Sequence, residues 1–295
     1  MSNAIKWNDR FNVGVETIDS AHEKLFSIVG SLIALNEDEH KQHHACRESV
    51  KYFKSYALKH FAEEEDYMQS INYAGYAMHK SLHDNLRDET LPALEAELEE
   101  HDYSKEAVRH FIGICVGWLN AHIMIEDYAI TGKSASKWMN PASENDTDAL
   151  AKMILHSLET LCHSKAKVVS QHYGGENFSS GKTICYRLTC LAKDKSRLQF
   201  YLVFEESLVL YTLSAILSQD IPRVDQTAIS AMQIFSEQFV YTLKNHFMSD
   251  KKYFLEKSDL ITFDQFTRTF DKEYPPYSML FSVESKGYCA FCANV

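Results

Sequence analysis

The 295-residue chain contains no long uninterrupted apolar run, and its N-terminal stretch MSNAIKWNDR lacks the apolar centre of an export signal. Both absences argue against a bilayer-spanning segment and a cleaved leader, so a soluble protein of the cytoplasm is expected. Basic charge is also short: 30 Lys and Arg stand against 41 Asp and Glu, for a formal net charge of -11. No basic stripe offsets that balance locally, which makes phosphate backbones unfavourable partners. Neither nucleic acid nor a membrane is expected as a partner. A disulfide framework is missing too, because the seven cysteines are odd in number and scattered, as suits a reducing compartment. Cys289 and Cys292 form a CxxC with Cys185 and Cys190 as candidate co-ligands for zinc. Separations of three and five residues in strand-like segments, however, send the two members of each pair to opposite faces. This CxxC opens no helix, which removes a thioredoxin-like reading; core or surface cysteines are expected.

What the chain does have is size and pattern. With 45% apolar residues it can bury substantial cores, and its length favours about two domains. Helical periodicity runs through the first 132 residues, in segments near 20–37, 41–68, 72–97 and 104–130. Asp19 and Ser20 are expected to cap the first segment, Asn72 sits at the break before the third, and Gly132 follows the last. Short connections imply antiparallel neighbours, hence an all-α up-down four-helix bundle. The segment KSASKWMNPASENDTD, residues 133–148, is small, polar and interrupted by Pro141, and reads as a linker. Beyond it, Leu150, Met153, Ile154, Leu158 and Leu161 mark an amphipathic helix. Period-two alternation follows at Ile184, Tyr186, Leu188 and Cys190, and again at Leu198, Phe200, Leu202 and Phe204. Helices are expected at 206–218 and 224–247, a strand near 259–263, and a closing hairpin of 277–284 and 288–294 around Ser285, Lys286 and Gly287. The expected organisation is a bundle over 1–132, a linker over 133–148, and a second α+β domain with a mainly antiparallel sheet over 149–295.

Ten of the fourteen histidines lie in the first 133 residues. His60 with Glu64, and His79 with His83, are i, i+4 pairs that a helix places about 40° apart on one face. His22 stands alone. His122 and Asp127 are five apart, about 140° on a regular helix and too wide for one small site. The sequence therefore predicts a π-bulge or similar distortion between Gly117 and Asp127. An antiparallel bundle aims four such faces at one point, and buried imidazoles and carboxylates need a partner there, such as a metal. His40, His43, His44, His101 and His110 lack the pattern and read as surface residues; Glu63, Glu65 and Asp66 read as a solvated face.

The order H, HxxxE, HxxxH, HxxxxD, together with Trp7, the GVETID segment and the LF that follows His22, resembles the bacterial hemerythrins over about residues 1–132. The resemblance implies a four-helix bundle around a non-heme diiron centre. His79, His83 and His122 would hold one iron and His22 and His60 the other. Glu64, Asp127 and an oxo or hydroxo group would bridge the irons, leaving one open position for O2. Trp118 and Leu119, four and three residues before His122, would wall the O2 pocket. Five imidazoles with only two carboxylates make a less anionic site than ferritin-like centres, favouring reversible O2 binding over oxygenase chemistry. Where the family usually has Gln or Glu before the first histidine, this chain has Ala21, which removes a polar neighbour of His22.

Over about 150–295 the order of elements resembles the CheX-like chemotaxis phosphatases, which carry an ExxN on the long helix. Here one frame puts Ala231 and Ile234 at those positions, and the frame from Glu237 meets Val240; phosphatase activity is not expected. The resemblance implies a homodimer formed through this domain, or a chemotaxis or two-component signalling protein as partner. The expected function is an oxygen or redox sensor that binds O2 reversibly at diiron and passes its ligand state to the C-terminal domain. The alternatives are O2 storage or delivery with an assembly-only C-terminal domain, and a diiron peroxide or nitric oxide reductase.

Overall fold

Asp19 turns its carboxylate back to accept the backbone N–H groups of Val13 and Gly14, so the first helix, α1 (Glu16–Glu37), starts earlier than expected. Its anchor lies inside the first turn, and neither Asp19 nor Ser20 occupies the cap position. The structure is a computed structural model that describes residues 7–37, 42–133, 146–162, 164–179, 181–243, 253–272 and 274–294. Along α1 the buried residues Ile18, His22, Leu25, Val29 and Leu32 recur every three or four positions, the stripe of a helix with one face in a core. The next helix, α2 (Gln42–Ser70), repeats the stripe at Cys46, Val50, Phe53, Ala57, Phe61, Glu64 and Met68.

The third helix, α3 (76–100), is interrupted by a π turn at Leu86–Thr90, where the Leu91 N–H reaches back five residues to the Leu86 carbonyl. That extra residue keeps Leu86 and Leu91 on one buried face with His79, His83, Leu94 and Leu98. Pro92 follows directly and has no N–H to give to a regular i-4 bond. Ser104 caps the fourth helix, α4 (Lys105–Ile130), by accepting the Ala107 N–H. Gly132, at φ 71°, closes it. Each helix packs on its neighbours round the bundle, in the up-down arrangement expected. α4 departs from expectation in one respect: it is long and apolar enough to cross a membrane, and 83% of that stretch is buried inside the molecule. Its apolar character serves burial on nearly all sides, as for a central bundle helix.

The second part of the chain holds α5 (Asp146–Cys162), β1 (Ala166–Ser170), β2 (Thr183–Ala192), β3 (Arg197–Glu205), α6 (Glu206–Leu217), α7 (Gln226–Leu243), β4 (Tyr253–Ile261), α8 (Phe263–Lys272), β5 (Tyr277–Val283) and β6 (Gly287–Asn294). The strands form a sheet in the order β1-β5-β6-β3-β2-β4, with every neighbouring pair antiparallel. Helix α7 covers one face, where Phe235 meets Phe204, Phe239 meets Phe291, and the Tyr186 hydroxyl donates to the Ile229 carbonyl. On α7, Ala231, Ile234 and Val240 are all buried. Helix α8 covers the other face with Phe263, Phe266 and Phe270, against Tyr173, Tyr201, Cys185 and Cys292. Cys289 pairs in register with Phe204 and so belongs to the α7 side. All seven cysteines are buried, and no four-cysteine site exists among the described residues.

Two elements escaped the sequence reading and one was misplaced. The fourth strand runs over Tyr253–Ile261 instead of near 259–263. Helix α8 is opened by a reciprocal capping box, in which the Thr262 hydroxyl accepts the Gln265 N–H and the Gln265 amide oxygen accepts the Thr262 N–H. Strand β1 is a short outer strand that, among the described residues, pairs with β5 alone. The chain divides into two compact units, Met1–Lys137 with Ile216–Asp220, and Trp138–Ala215 with Ile221–Val295. Most of the expected linker 133–148, and residues 244–247 of the expected long helix, lie outside the described residues.

Candidate metal centre

All seven side chains singled out by spacing converge in the bundle, and each is at most 2% exposed. His22 comes from α1, His60 and Glu64 from α2, His79 and His83 from α3, and His122 and Asp127 from α4. A π turn spans His122–Asp127, with the Tyr128 N–H bonded to the Ile123 carbonyl five residues back. This wider turn stacks residues five apart on one face, which answers the 140° problem where the sequence placed it.

Each imidazole turns Nε2 toward the centre. Glu64 Oε2 lies 3.3 Å from His83, 3.5 Å from His79 and 3.8 Å from His60. Asp127 Oδ1 lies 3.1 Å from His122 and 3.4 Å from His79, while its Oδ2 lies 3.2 Å from His22. Donor atoms of Glu64, His79, His83 and His122 fall within 4.8 Å of one another, and so do those of His22, His60 and Glu64. Glu64 is shared by the two sets, and Asp127 presents one oxygen to each side.

Burial pushes His60 down to about 3 and His122 down to about 4, against the pull of Glu64 and Asp127, so both are neutral bases at pH 7. Burial alone would raise the carboxyls of Glu64 and Asp127. The close approach of His79 and His83 to Glu64, and the charge and close approach of His122 and His22 at Asp127, hold both below the usual carboxylate range. At His22 and His79 burial opposes charge, but the close approach and negative charge of Asp127 and Glu64 together outweigh it and raise both. Both oxygens of Glu64 and Asp127, and both ring nitrogens of His22 and His79, are nevertheless buried without a hydrogen-bond partner. Each such orphan costs about 1–3 kcal/mol. Cations that accept nitrogen and oxygen lone pairs would satisfy the carboxylate oxygens and the inward Nε2 atoms together, and imidazole with carboxylate suits iron, copper, nickel or zinc. The residues present fit a pair of metal ions.

Aromatic rings line one end of the cluster. Phe61 stacks on His83 at 4.2 Å and Trp118 on His122 at 4.1 Å, with the two aromatic rings 5.3 Å apart. Trp118 thus stands beside the set of three imidazoles, not beside the pair His22 and His60 where an open position was expected. Leu119 is buried in α4. Ala21 is buried as well, and His22 Nδ1 has no partner, in line with the polar neighbour that Ala21 removes.

Sequence spacing missed several neighbours. Glu65 does not belong to a solvated face: its Oε1 lies 3.2 Å from His83 Nδ1, and its other oxygen pairs with Lys80. Glu63 and Asp66 are exposed as expected. Glu126 is raised mainly by burial, with His79 opposing and Asp127 adding, and Tyr73 is raised by burial and then by Glu126. His43, His44 and His101 are exposed, whereas His110 is half-buried and bonded to Glu97 at 2.8 Å. His40 lies outside the described residues. The Phe61 and Glu65 contacts with His83 both cross from α2 to α3 and leave no periodic trace.

Comparison with known proteins places this geometry in context. The model of the hemerythrin HHE cation binding domain matches residues 13–133, which include all seven converging side chains. A bacteriohemerythrin of Clostridium acetobutylicum is 32% identical over 125 residues, covering 41% of this chain and 94% of that protein. One from Pseudomonas aeruginosa is 31% identical over 78 residues, 26% of this chain and 50% of that protein. Among solved structures, the chemotaxis protein CheX of Vibrio vulnificus is similar at 10% identity with a TM-score of 0.33, over 54% of this chain and 98% of that one. Through its N-terminal bundle, the chain belongs to the hemerythrin family.

Proposed function

We propose that the bundle holds two non-heme irons and binds O2 reversibly, and that the chain acts as an oxygen or redox sensor in the cytoplasm. His79, His83 and His122 hold one metal, His22 and His60 the other, and Glu64 and Asp127 lie between them. The observation that carries this reading is the sharing of Glu64 between two ligand-sized sets, with Asp127 dividing its oxygens between the same sets. The metals supply the electrons that O2 takes up on binding. The residues supply the rest: neutral His60 and His122 offer lone pairs, the two ionised carboxylates offset metal charge, and buried aromatic walls keep bulk water out. The imbalance of three imidazoles against two leaves the His22 and His60 side with fewer ligands, and O2 binds there, with Leu119 as a wall residue and Trp118 packed on the opposite, three-imidazole set.

The organisation behind this function is a bundle over 1–132, a linker over 133–148 and a signalling or dimerisation domain over 149–295. Strand β4 is an outer strand of the sheet and exposes Phe254, Leu255 and Leu260. An exposed apolar edge strand is a template for pairing, which supports a homodimer through the C-terminal domain. A sensor requires that O2 distinguish two states of the whole chain, since equal affinity shifts nothing. Solution scattering of the deoxy and oxy forms tests it: the profiles are expected to differ, and superimposable profiles would leave O2 storage as the role.

A further inference from the structure

His83 differs from the other four imidazoles of the cluster at its outer nitrogen. All five direct Nε2 to the centre. The Nδ1 atoms of His22, His60, His79 and His122 are buried with no hydrogen-bond partner, while that of His83 lies 3.2 Å from Glu65 Oε1. Glu65 is itself held: Lys80 reaches its Oε2 at 3.2 Å and Asp84 at 2.7 Å. The Glu65 side chain is only 14% exposed, so its charge acts with little screening. The His83 ring is also stacked on Phe61, with 13° between the planes. Stacking fixes the plane of the ring and Glu65 fixes its rotation within that plane.

We propose that Glu65 is a positioning residue for the metal site: it accepts the Nδ1–H of His83, commits Nε2 to the metal, and makes His83 the strongest donor among the five imidazoles. A carboxylate behind a ligating histidine raises the basicity of the inner nitrogen and sets the ring's direction. Among the described residues only the three-imidazole set carries such a partner, so the two metal positions differ in donor strength as well as in ligand number. This inference rests on the metal reading above. It assigns Glu65 a role that its ion pair with Lys80, a tie between α2 and α3, does not supply.

The test uses the full chain and the variants Glu65→Ala, Glu65→Gln and Lys80→Met. In metal-free protein, nitrogen-15 NMR of the histidine rings reads the protonated nitrogen of His83. It is expected at Nδ1 in the wild type and in Glu65→Gln, whose amide oxygen still accepts, and mixed between the two nitrogens in Glu65→Ala. Cobalt(II) affinity, followed by its visible bands in competition with a chelator, is expected to fall about 10–100-fold at one position in Glu65→Ala. Glu65→Gln should fall between wild type and Glu65→Ala, and Lys80→Met should remain close to wild type. Equal losses in Glu65→Ala and Lys80→Met would mean a structural ion pair and overturn the proposal, as would unchanged cobalt affinity in Glu65→Ala. Should Glu65→Ala fail to fold, Glu65→Gln decides alone, and wild-type affinity in that variant counts against the role. A wild-type chain that takes up no cobalt or iron refutes the metal reading instead, and the ring NMR still reports on the His83 and Glu65 pair.

Discussion

His122 Nε2 lies 3.1 Å from Asp127 Oδ1 although five residues separate them on one helix. The π turn makes this contact, and it also aims the other Asp127 oxygen at His22 on α1. Asp127→Asn keeps the shape and one acceptor but removes the charge that sits between the two sets. Metal analysis of that variant is expected to show loss at both positions, and full occupancy would show that Asp127 is dispensable.

Removing metal should destabilise the bundle. Glu64 and Asp127 have all four oxygens buried without hydrogen-bond partners, and a ligand present at 100 times its dissociation constant adds about 2.7 kcal/mol to the folded state. Calorimetry of the loaded chain with and without chelator is expected to show a melting point lower by about 5 °C or more after stripping. An unchanged melting point would mean that the cluster is satisfied without metal.

Acid should weaken the metal-free bundle through His60 and His122. Their folded values of about 3 and about 4 lie below the ordinary 6.5, so between those limits the unfolded chain binds more protons than the folded one. Their contribution is present above pH 6.5 and is lost as pH falls toward 4. His22 and His79 are raised and act with the opposite sign, but they are common to wild type and variant. Urea unfolding of metal-free His122→Gln against wild type is therefore expected to show a shallower acid-side loss in the variant, and parallel curves would contradict the depressed value.

Trp118 packs its ring on His122 and beside Phe61. Trp118→Ala should cost about 3–5 kcal/mol in chemical unfolding, and Trp118→Phe clearly less, because a ring remains to stack. Equal and small losses in both variants would place the ring outside the packed wall.

The β4 edge gives the second unit its own prediction. Leu255→Asp with Leu260→Asp puts charge on the exposed apolar positions. If the proposed homodimer forms through β4, sedimentation is expected to shift from dimer to monomer, and an unchanged mass would contradict a dimer contact at this strand.

The cluster of imidazoles and carboxylates was legible because its clues are local. Pairs four apart on one helix share a face whatever the rest of the fold does, and the five-residue step from His122 to Asp127 demanded the π turn that is present. The turn at Leu86–Thr90 left a similar trace in the five-residue step from Leu86 to Leu91 and in Pro92, but no polar pair there drew attention to it. Glu65 was assigned to solvent because its contact with His83 joins two helices, and neighbours in sequence carry no sign of it. In the second unit, the alternation of β2 and β3 was plain because polar residues such as Arg187, Thr189 and Gln199 interleave the apolar positions of one face. Strand β1, five residues long and half exposed, shows no clean alternation of apolar residues. Helix α8 was readable: Thr262 and Gln265 spell a capping box, and Phe263, Phe266 and Phe270 recur at helical spacing.

The most direct test of the central claim is metal analysis of the purified full chain, joined to its visible spectrum through repeated cycles of argon and air. Two irons per chain are expected, with an absorption band that appears in air, vanishes under argon and returns without loss. A chain free of iron, or a band that forms once and never reverses, would contradict reversible O2 binding at His22, His60, Glu64, His79, His83, His122 and Asp127.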